Sequence, residues 1–177
     1  LDEKKLVAVV PGGGASWGKH SGRKRWSADG FARTAEVLAR SGWDILVLGD
    51  DSEYRVCEDV AKGVPSGKTV RDNSLNLKDY AAILSKARLV LCNDGGPLHI
   101  AVSLGVSTVS IFGPVDPVVY GPYPVTDNHR VVTIEGLPCR PCYGRFRLPE
   151  CGFGGKCLAG IDPERVGKIC LELLEKG

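Results

Sequence analysis

The segment Cys92–Ala101, CNDGGPLHIA, follows the apolar run ARLVL and carries a carboxylate, two glycines, a proline and a histidine. Pro97 suits the first turn of a helix, which would make Gly96 the N-cap and leave the following amides pointing out of the helix end. Gly95 and Gly96 would let another molecule approach the backbone closely. Because free amides at the positive end of a helix dipole bind anions, the segment predicts a phosphate site.

Two side chains of the same segment could contact the rest of a phosphorylated ligand. A phosphate would repel the carboxylate of Asp94, so Asp94 is expected to accept hydrogen bonds from hydroxyl groups instead. His99 lies outside the packing stripe of the predicted helix, and its ring could face the cleft. An anion site beside these two groups suits a phosphorylated sugar. The alternative is that Asp94 only caps the turn and His99 is an ordinary surface histidine.

Polar residues also follow two other apolar runs. VLGDD places Asp50 and Asp51 where dinucleotide-binding folds hold a ribose. PGGGASWGKHSGRKRW, residues 11–26, combines glycines with a basic cluster that either lines a phosphate or is a solvated surface. This loop matches neither G-x-G-x-x-G nor the P-loop motif G-x-x-x-x-G-K-[ST], which disfavours both a dinucleotide dehydrogenase and a P-loop protein.

The order of apolar runs predicts the scaffold that positions these residues. The strand-like runs are KLVAVV, DILVLG, TV, RLVLC, STVSIFG and RVVTIE, with helical patterns between them. A last helix begins after Asp162, which is the expected N-cap before Pro163. This alternation predicts an α/β fold with a doubly wound, parallel, six-stranded Rossmann-like sheet, in one domain over residues 1–177. Ligands of such folds bind beyond the carboxyl ends of the strands, where all the unusual loops lie.

Composition excludes several classes of protein. The chain has 177 residues, of which 43% are hydrophobic and 25% charged, as in a globular domain. A formal net charge of +2 with one local basic cluster disfavours a nucleic-acid partner. No apolar stretch approaches the roughly 20 residues of a transmembrane helix. The chain opens with LDEKK rather than a signal peptide and has no methionine, so we expect a cytoplasmic piece of a longer protein.

Four of the seven cysteines lie close together in CRPCYGRFRLPECGFGGKC. They could hold a structural zinc, stay reduced and pack the loop, or form disulfides, and the spacing leaves all three open. The other three are predicted to be small core residues, because they fall in strand or helix patterns. The first set is Cys139, Cys142, Cys151 and Cys157, and the second is Cys57, Cys92 and Cys170.

The motifs NDGGPLHIA, FGPVDP, a C-P-C type cysteine loop and IDPERV, in this order, resemble the C-terminal half of glycosyltransferase family nine. These are the ADP-heptose:lipopolysaccharide heptosyltransferases, and the resemblance covers essentially the whole chain. It implies the donor half of a two-domain GT-B enzyme that transfers heptose from ADP-heptose to the lipopolysaccharide inner core. The reaction would invert the anomeric centre without a catalytic metal. The N-terminal domain, absent from this chain, would bind the acceptor, supply the general base and allow peripheral contact with the inner membrane.

Site roles carried over from the resemblance concern the sugar, the diphosphate and the nucleoside. Asp94 and His99 would contact the sugar, and Lys24 in KRW the phosphate or sugar. The rest of the donor would be bound by Ser16, Asp51, Gly95, Gly96 and Pro97, with Asp51 at the nucleoside and the glycines at the diphosphate.

The chain departs from the family pattern at several positions, which puts the identity of the sugar in doubt. Gly95 stands where the family often has Thr or Ser, and Val115 replaces the usual Thr of F-G-P-T-D-P. The loop from Ser16 to Lys24 is longer than usual, which leaves Lys19 as a second candidate for the phosphate contact. The alternatives are a GT-B domain for another nucleotide sugar, such as a UDP-sugar transferase or an epimerase, and a non-catalytic nucleotide-binding module.

Overall fold

A computed structural model describes residues 2–13, 15–64, 69–72, 76–145 and 147–176. Parallel strands form one sheet with the order β3-β2-β1-β4-β5-β6, which is the order of dinucleotide-binding sheets. The predicted α/β class with a parallel sheet is confirmed. The strands are β1 Leu6–Val10, β2 Asp44–Leu48, β3 Thr69–Asp72, β4 Leu89–Asn93, β5 Ser107–Ile111 and β6 His129–Val132.

Helices connect the strands and cover both faces of the sheet. Five of them match the helical patterns of the sequence: α1 Ala28–Arg40, α2 Tyr54–Lys62, α3 Leu77–Leu84, α4 Gly96–Ser103 and α7 Pro163–Glu175. Two one-turn helices, α5 Pro117–Tyr120 and α6 Lys156–Ala159, lie where the sequence predicts loops. A single turn is too short to show helical periodicity, which is why the patterns missed both.

The sheet is buried on both faces, which explains the unbroken apolar runs of the strands. Val7 and Val9 of β1 point into one core with α1 and α7, whereas Ala8 and Val10 point into the other with α3 and α4. The three cysteines predicted to be core residues are buried, so that prediction is confirmed. Cys57 and Cys170 lie in the first core and Cys92 in the second.

The last helix is capped as its sequence predicts and crosses α1 closely. The Asp162 side chain accepts hydrogen bonds from the amides of Glu164 and Arg165, both at 3.2 Å. Such a cap stabilises a helix by about 1 kcal/mol. A Cβ atom at Gly167 would lie 3.0 Å from Cγ1 of Val37, so the absence of a side chain permits this crossing.

The sheet topology places the ends of β1, β2 and β4 side by side. The strand order reverses between β1 and β4, and in open α/β sheets ligands bind in the crevice at that point. A ligand site is therefore expected in the loops that follow these three strands.

Among the described residues, no helix combines the length and the apolar character needed to cross a membrane.

Candidate functional site

Four segments meet at the carboxyl ends of β1, β2 and β4. They are residues 11–13, 24–26, 50–53 and 93–96, here called the site loops. Their most deeply buried charged contact joins Nζ of Lys24 to Oδ2 of Asp94 at 3.2 Å. Lys24 is 5% exposed and Asp94 is 6% exposed. Two residues predicted to act on the same ligand, 70 positions apart in the sequence, thus form a buried ion pair.

The residues after Lys24 are held in place by two separate strand ends. The backbone amide of Trp26 donates to Oδ1 of Asn93 at 2.9 Å. Arg25 donates from Nε to the carbonyl oxygen of Gly13 at 3.1 Å and from Nη2 to Oε1 of Glu53 at 3.1 Å. Lys24 ends the 3-10 segment Ala15–Lys24, so these contacts fix the chain directly after it.

Asn93 and Glu53 are buried polar residues that the sequence analysis missed. Asn93 is 2% exposed and donates from Nδ2 to the carbonyl oxygens of Pro11 and Gly12, both at 2.8 Å. Glu53 is 7% exposed and accepts from the amide of Gly13 at 2.7 Å. Together they tie the end of β1 to the ends of β4 and β2. Asn93 follows an apolar run with nothing to mark it as a partner of residues 11–26.

A capping box could have revealed Glu53 in the sequence. Asp50 accepts from the amides of Ser52 and Glu53 at 2.8 and 3.1 Å, while Glu53 accepts from the amide of Asp50 at 3.4 Å. The D-x-x-E spacing is the signal for this motif. A Cβ atom at Gly12 would lie 2.0 Å from Oε2 of Glu53, so glycine is required there by the buried carboxylate.

The start of α4 differs by one residue from the sequence prediction. Gly95, not Gly96, is the N-cap, so Pro97 is the second residue of the helix and Gly96 the first. The reason is a tight first turn, in which the amide of Leu98 donates to the carbonyl oxygen of Gly95 at 3.2 Å. Gly96 is exposed, and a Cβ atom added there would meet no described atom within 4 Å. The helix start therefore opens into free space beside Asp94.

Residues 2–149 match the family model described as glycosyltransferase family 9 (heptosyltransferase). The chain belongs to this family. A lipooligosaccharide heptosyltransferase 2 of Campylobacter jejuni is 29% identical over 177 residues, covering 97% of this chain and 52% of that protein.

Solved structures of other glycosyltransferases have the same fold. The family 9 glycosyltransferase of Veillonella parvula is 26% identical with a TM-score of 0.81, and the match covers 100% of this chain and 48% of that one. The Escherichia coli heptosyltransferase WaaC, solved with ADP, is 20% identical with a TM-score of 0.70 and coverages of 96% and 44%. The chain spans about half the length of the relatives it matches.

The remaining predicted site residues of the glycosyltransferase chain lie at or beside the same edge. His99 is exposed on α4, one turn into the helix. Asp51 is exposed and begins the 3-10 turn Asp51–Glu53, whereas the neighbouring carboxylate of Asp50 is used as the cap. The backbone of Ser16 belongs to the 3-10 segment that ends at Lys24, but its side chain and that of Lys19 lie outside the described residues.

For the segment Cys139–Cys157, here called the cysteine segment, the described residues do not support a structural zinc, which was one of the three states that the sequence left open. Cys157 is buried in α6, Cys151 is exposed, and Cys139 and Cys142 are half-buried, all as free thiols. In the described part of the chain, no three His, Cys, Asp or Glu side chains form a group that could hold a metal ion. Cys142, Cys151 and Cys157 line one pocket, but Cys157 also packs in the core, and Cys151 accepts a hydrogen bond from the amide of Gly155 at 3.3 Å.

The thiols of the cysteine segment also differ in pKa. Hydrogen bonds from the backbone of Gly155 and Phe153 lower the pKa of Cys151, because they stabilise the thiolate. Burial raises the pKa of Cys142 and of Cys157. The neighbouring cysteines raise the pKa of Cys142 and of Cys157 further, and all four cysteines are free thiols in the structure.

Proposed function

We propose that this chain is the donor-binding half of a GT-B glycosyltransferase that binds ADP-heptose and transfers heptose to the lipopolysaccharide inner core. The observation that carries the proposal is the buried Lys24–Asp94 pair beside the open start of α4. A cation, helix-end amides and a carboxylate converge there, as a diphosphate linked to a polyhydroxylated sugar requires. Membership of the heptosyltransferase family supports heptose as the sugar.

The diphosphate is expected at the start of α4. The first amides of a helix have no intrahelical acceptors, and the dipole favours an anion there. Gly95 and Gly96 have no side chains to block the approach, and Lys24 places a positive charge at the adjacent end of β4. Because Asp94 offsets that charge, we expect this chain to bind ADP weakly.

The carboxylate of Asp94 is assigned to the hydroxyl groups of the sugar. Lys24 contacts Oδ2 of Asp94, so Oδ1 could accept a hydrogen bond from a hydroxyl group of the bound sugar. His99, exposed on the same helix, is placed to contact the sugar from the solvent side. Asp51, exposed at the end of β2, is assigned to the nucleoside. With these assignments, the nucleotide sugar would lie along the carboxyl ends of β2, β1 and β4.

The proposed reaction is inverting and needs no catalytic metal. When an acceptor hydroxyl attacks the anomeric carbon, the bond to the nucleoside diphosphate breaks and negative charge grows on the departing phosphate oxygen. Amides and an ammonium group that are already oriented toward that oxygen stabilise the charge without rearranging. The acceptor and the general base would come from an N-terminal half, and closure of the two halves would complete the site. Such a protein would work in the cytoplasm, at the face of the inner membrane.

Calorimetry of this chain with ADP and UDP in parallel tests the proposal. We expect ADP to bind at submillimolar to millimolar concentration and UDP to bind more weakly. No heat with ADP at millimolar concentration, from a sample whose circular dichroism shows it folded, would remove the donor-site assignment.

A methyl group at Gly96 tests where the diphosphate lies. Gly96→Ala should fold normally, since the added Cβ meets no described atom within 4 Å, yet it should weaken ADP binding by about tenfold or more because the methyl occupies the approach to the amides. Gly152→Ala is the matched control, because Gly152 is also exposed and open but lies in the cysteine segment. Equal ADP affinity of the two variants would place the diphosphate elsewhere.

A further inference from the structure

We propose that Asn93 is a positioning residue that sets Lys24 against Asp94. Its buried amide holds the chain at Trp26, two residues after Lys24, and so determines where the ammonium group of Lys24 lies. The inference deepens the proposed function, because Lys24 and Asp94 are the charged groups assigned to the donor.

Both polar atoms of the Asn93 side chain form hydrogen bonds. Oδ1 accepts from the amide of Trp26 at 2.9 Å, and Nδ2 donates to the carbonyl oxygens of Pro11 and Gly12 at 2.8 Å each. With 2% exposure, Asn93 is shielded from water that could replace these bonds. The three partners are backbone groups from the end of β1 and from the residues after the 3-10 segment. One side chain therefore joins three stretches of chain.

Asn93 and Asp94 are consecutive, which makes the linkage short. Trp26 is hydrogen-bonded to Asn93, and Lys24 is paired with Asp94, so the two contacts close a small ring through Asn93–Asp94 and the three residues 24–26. Asp94 is itself fixed, since its amide donates to the carbonyl oxygen of Ile111 at 3.0 Å. A shift of Trp26 away from Asn93 would therefore move Lys24 relative to a fixed Asp94.

The indole of Trp26 strengthens this linkage. Trp26 is 3% exposed and packs edge-to-face on Phe31 of α1, with ring centroids 5.2 Å apart. The side chain of Trp26 is thus anchored to α1 while its amide is anchored to Asn93. Both anchors act on the residue that follows Lys24 and Arg25.

An amide is required at position 93 by the chemistry of its partners. Two carbonyl oxygens face Nδ2 and one amide hydrogen faces Oδ1, so the side chain must donate and accept at once. An ionised carboxylate would place an oxygen against the two carbonyls, and an apolar residue would leave all three backbone groups unpaired. Arg25 is held independently by Glu53 and Gly13, so the loop stays tethered when Asn93 is changed.

The test is the chemical accessibility of Lys24 in Asn93→Asp, measured by amine acetylation and mass spectrometry of the folded protein. Lys24 is buried in the wild type and is expected to react slowly. At pH 8 the variant should acetylate Lys24 severalfold faster, because repulsion from the Pro11 and Gly12 carbonyls displaces the carboxylate, and the Trp26 amide hydrogen-bonded to it is displaced as well. Asn128→Asp, an exposed site on the β5–β6 connection, is the matched control and should leave the rate unchanged.

Nucleotide affinity supplies a second readout with its own pH signature. The ratio of wild-type to Asn93→Asp affinity for ADP should be about 10- to 100-fold at pH 8, the effect of leaving buried partners unpaired. It should shrink at pH 5, because a carboxyl group buried against carbonyls has a raised pKa and donates a hydrogen bond once protonated. A merely structural role would lower the melting temperature but leave the affinity of the folded molecules unchanged.

The outcomes separate this inference from the proposed function. Wild-type protein that binds no ADP overturns the donor site, while the acetylation rate of Lys24 still tests Asn93. An unchanged Lys24 rate in folded Asn93→Asp, or an affinity loss that does not shrink at low pH, overturns the positioning role. If Asn93→Asp does not fold at pH 8, Asn93→Ser is used, since it retains one donor and one acceptor; it should also raise the Lys24 rate, and a wild-type rate there overturns the proposal.

Discussion

The site loops and the cysteine segment both adjoin the carboxyl edge of the sheet, yet their polar groups behave differently. In the site loops, Lys24, Glu53, Asn93 and Asp94 are at most 7% exposed, and each has a hydrogen-bonding or charged partner from another strand end. In the cysteine segment, the four thiols range from buried to exposed, and within the described residues they form no group that could hold a metal ion. Close spacing in sequence did not make a site, whereas contacts across 70 residues did.

The difference teaches that burial with partners, rather than proximity in sequence, turns chemically able residues into a site. A buried charge is costly unless it is paired, so the positions of Lys24 and Asp94 are determined by each other. A neutral, half-exposed thiol does not carry this cost, so its position is not determined by a charged partner. The two regions are linked, because Nη2 of Arg23 donates to the carbonyl oxygen of Pro149.

The largest effect is expected when the buried pair is broken. Asp94→Asn should destabilise the fold by about 3–5 kcal/mol, because it leaves the ammonium group of Lys24 buried without its counter-charge. Urea unfolding measures this difference. Asp127→Asn, which breaks a 3.7 Å contact between Arg130 and a carboxylate that is 98% exposed, should change stability by no more than about 0.5 kcal/mol. Similar values for the two variants would mean that burial of the Lys24–Asp94 pair adds nothing to its effect on stability.

A second prediction concerns the exposed residue at the edge of the site loops. In a full-length protein carrying both halves, His99→Ala should lower turnover of ADP-heptose by about 10²-fold, the lower end of the cost of removing one group that stabilises the transition state. Stability and ADP affinity should change little, because His99 is exposed and assigned to the sugar. Asp94→Ala should reduce turnover further. A wild-type rate for His99→Ala would mean that His99 is an ordinary surface residue without a role in the reaction.

Thiol reactivity sharpens the description of the cysteine segment. With iodoacetamide, Cys151 should alkylate first, and its rate should reach half-maximum at a lower pH than that of an ordinary thiol, since its pKa is lowered. Cys142 should reach half-maximum at a higher pH, since its pKa is raised. Peptide mass spectrometry across pH 6–10 follows both. One common pH profile for the two thiols would contradict these opposite pKa shifts.

The smallest effect is expected at His129 in β6, away from both regions. Burial lowers the pKa of His129, whose Nδ1 lies 3.0 Å from Oγ1 of Thr108. The unfolded chain therefore binds more protons near the ordinary pKa of histidine, so stability is fully present above about pH 6.5 and declines as pH falls below it. Thermal unfolding at pH 7.5 and pH 5.5 should show a shallower decline in His129→Gln. Asn128→Gln, at an exposed residue that does not titrate, should keep the wild-type decline.

Local sequence patterns were sufficient for the strands, for the five longer helices and for the N-cap of α7. The unbroken apolar runs at Leu6–Val10 and Leu89–Asn93 are central strands because both of their faces are buried. Asp162 before Pro163 caps α7 as its residue types predict. The same D-P pair, Asp116 and Pro117, opens the one-turn helix α5, where the cap was readable but the periodicity was not.

The sequence by itself determined the fold class, the family and the residues that could act on a nucleotide sugar, because those depend on local periodicity and on short motifs. Only the tertiary structure decided how these residues are held. The pairing of Lys24 with Asp94 and the contacts of Asn93 join positions 67 to 82 apart, and no local pattern encodes such distances. The zinc prediction was not supported for the same reason, since metal binding depends on where sulfur atoms converge in space and not on their spacing along the chain.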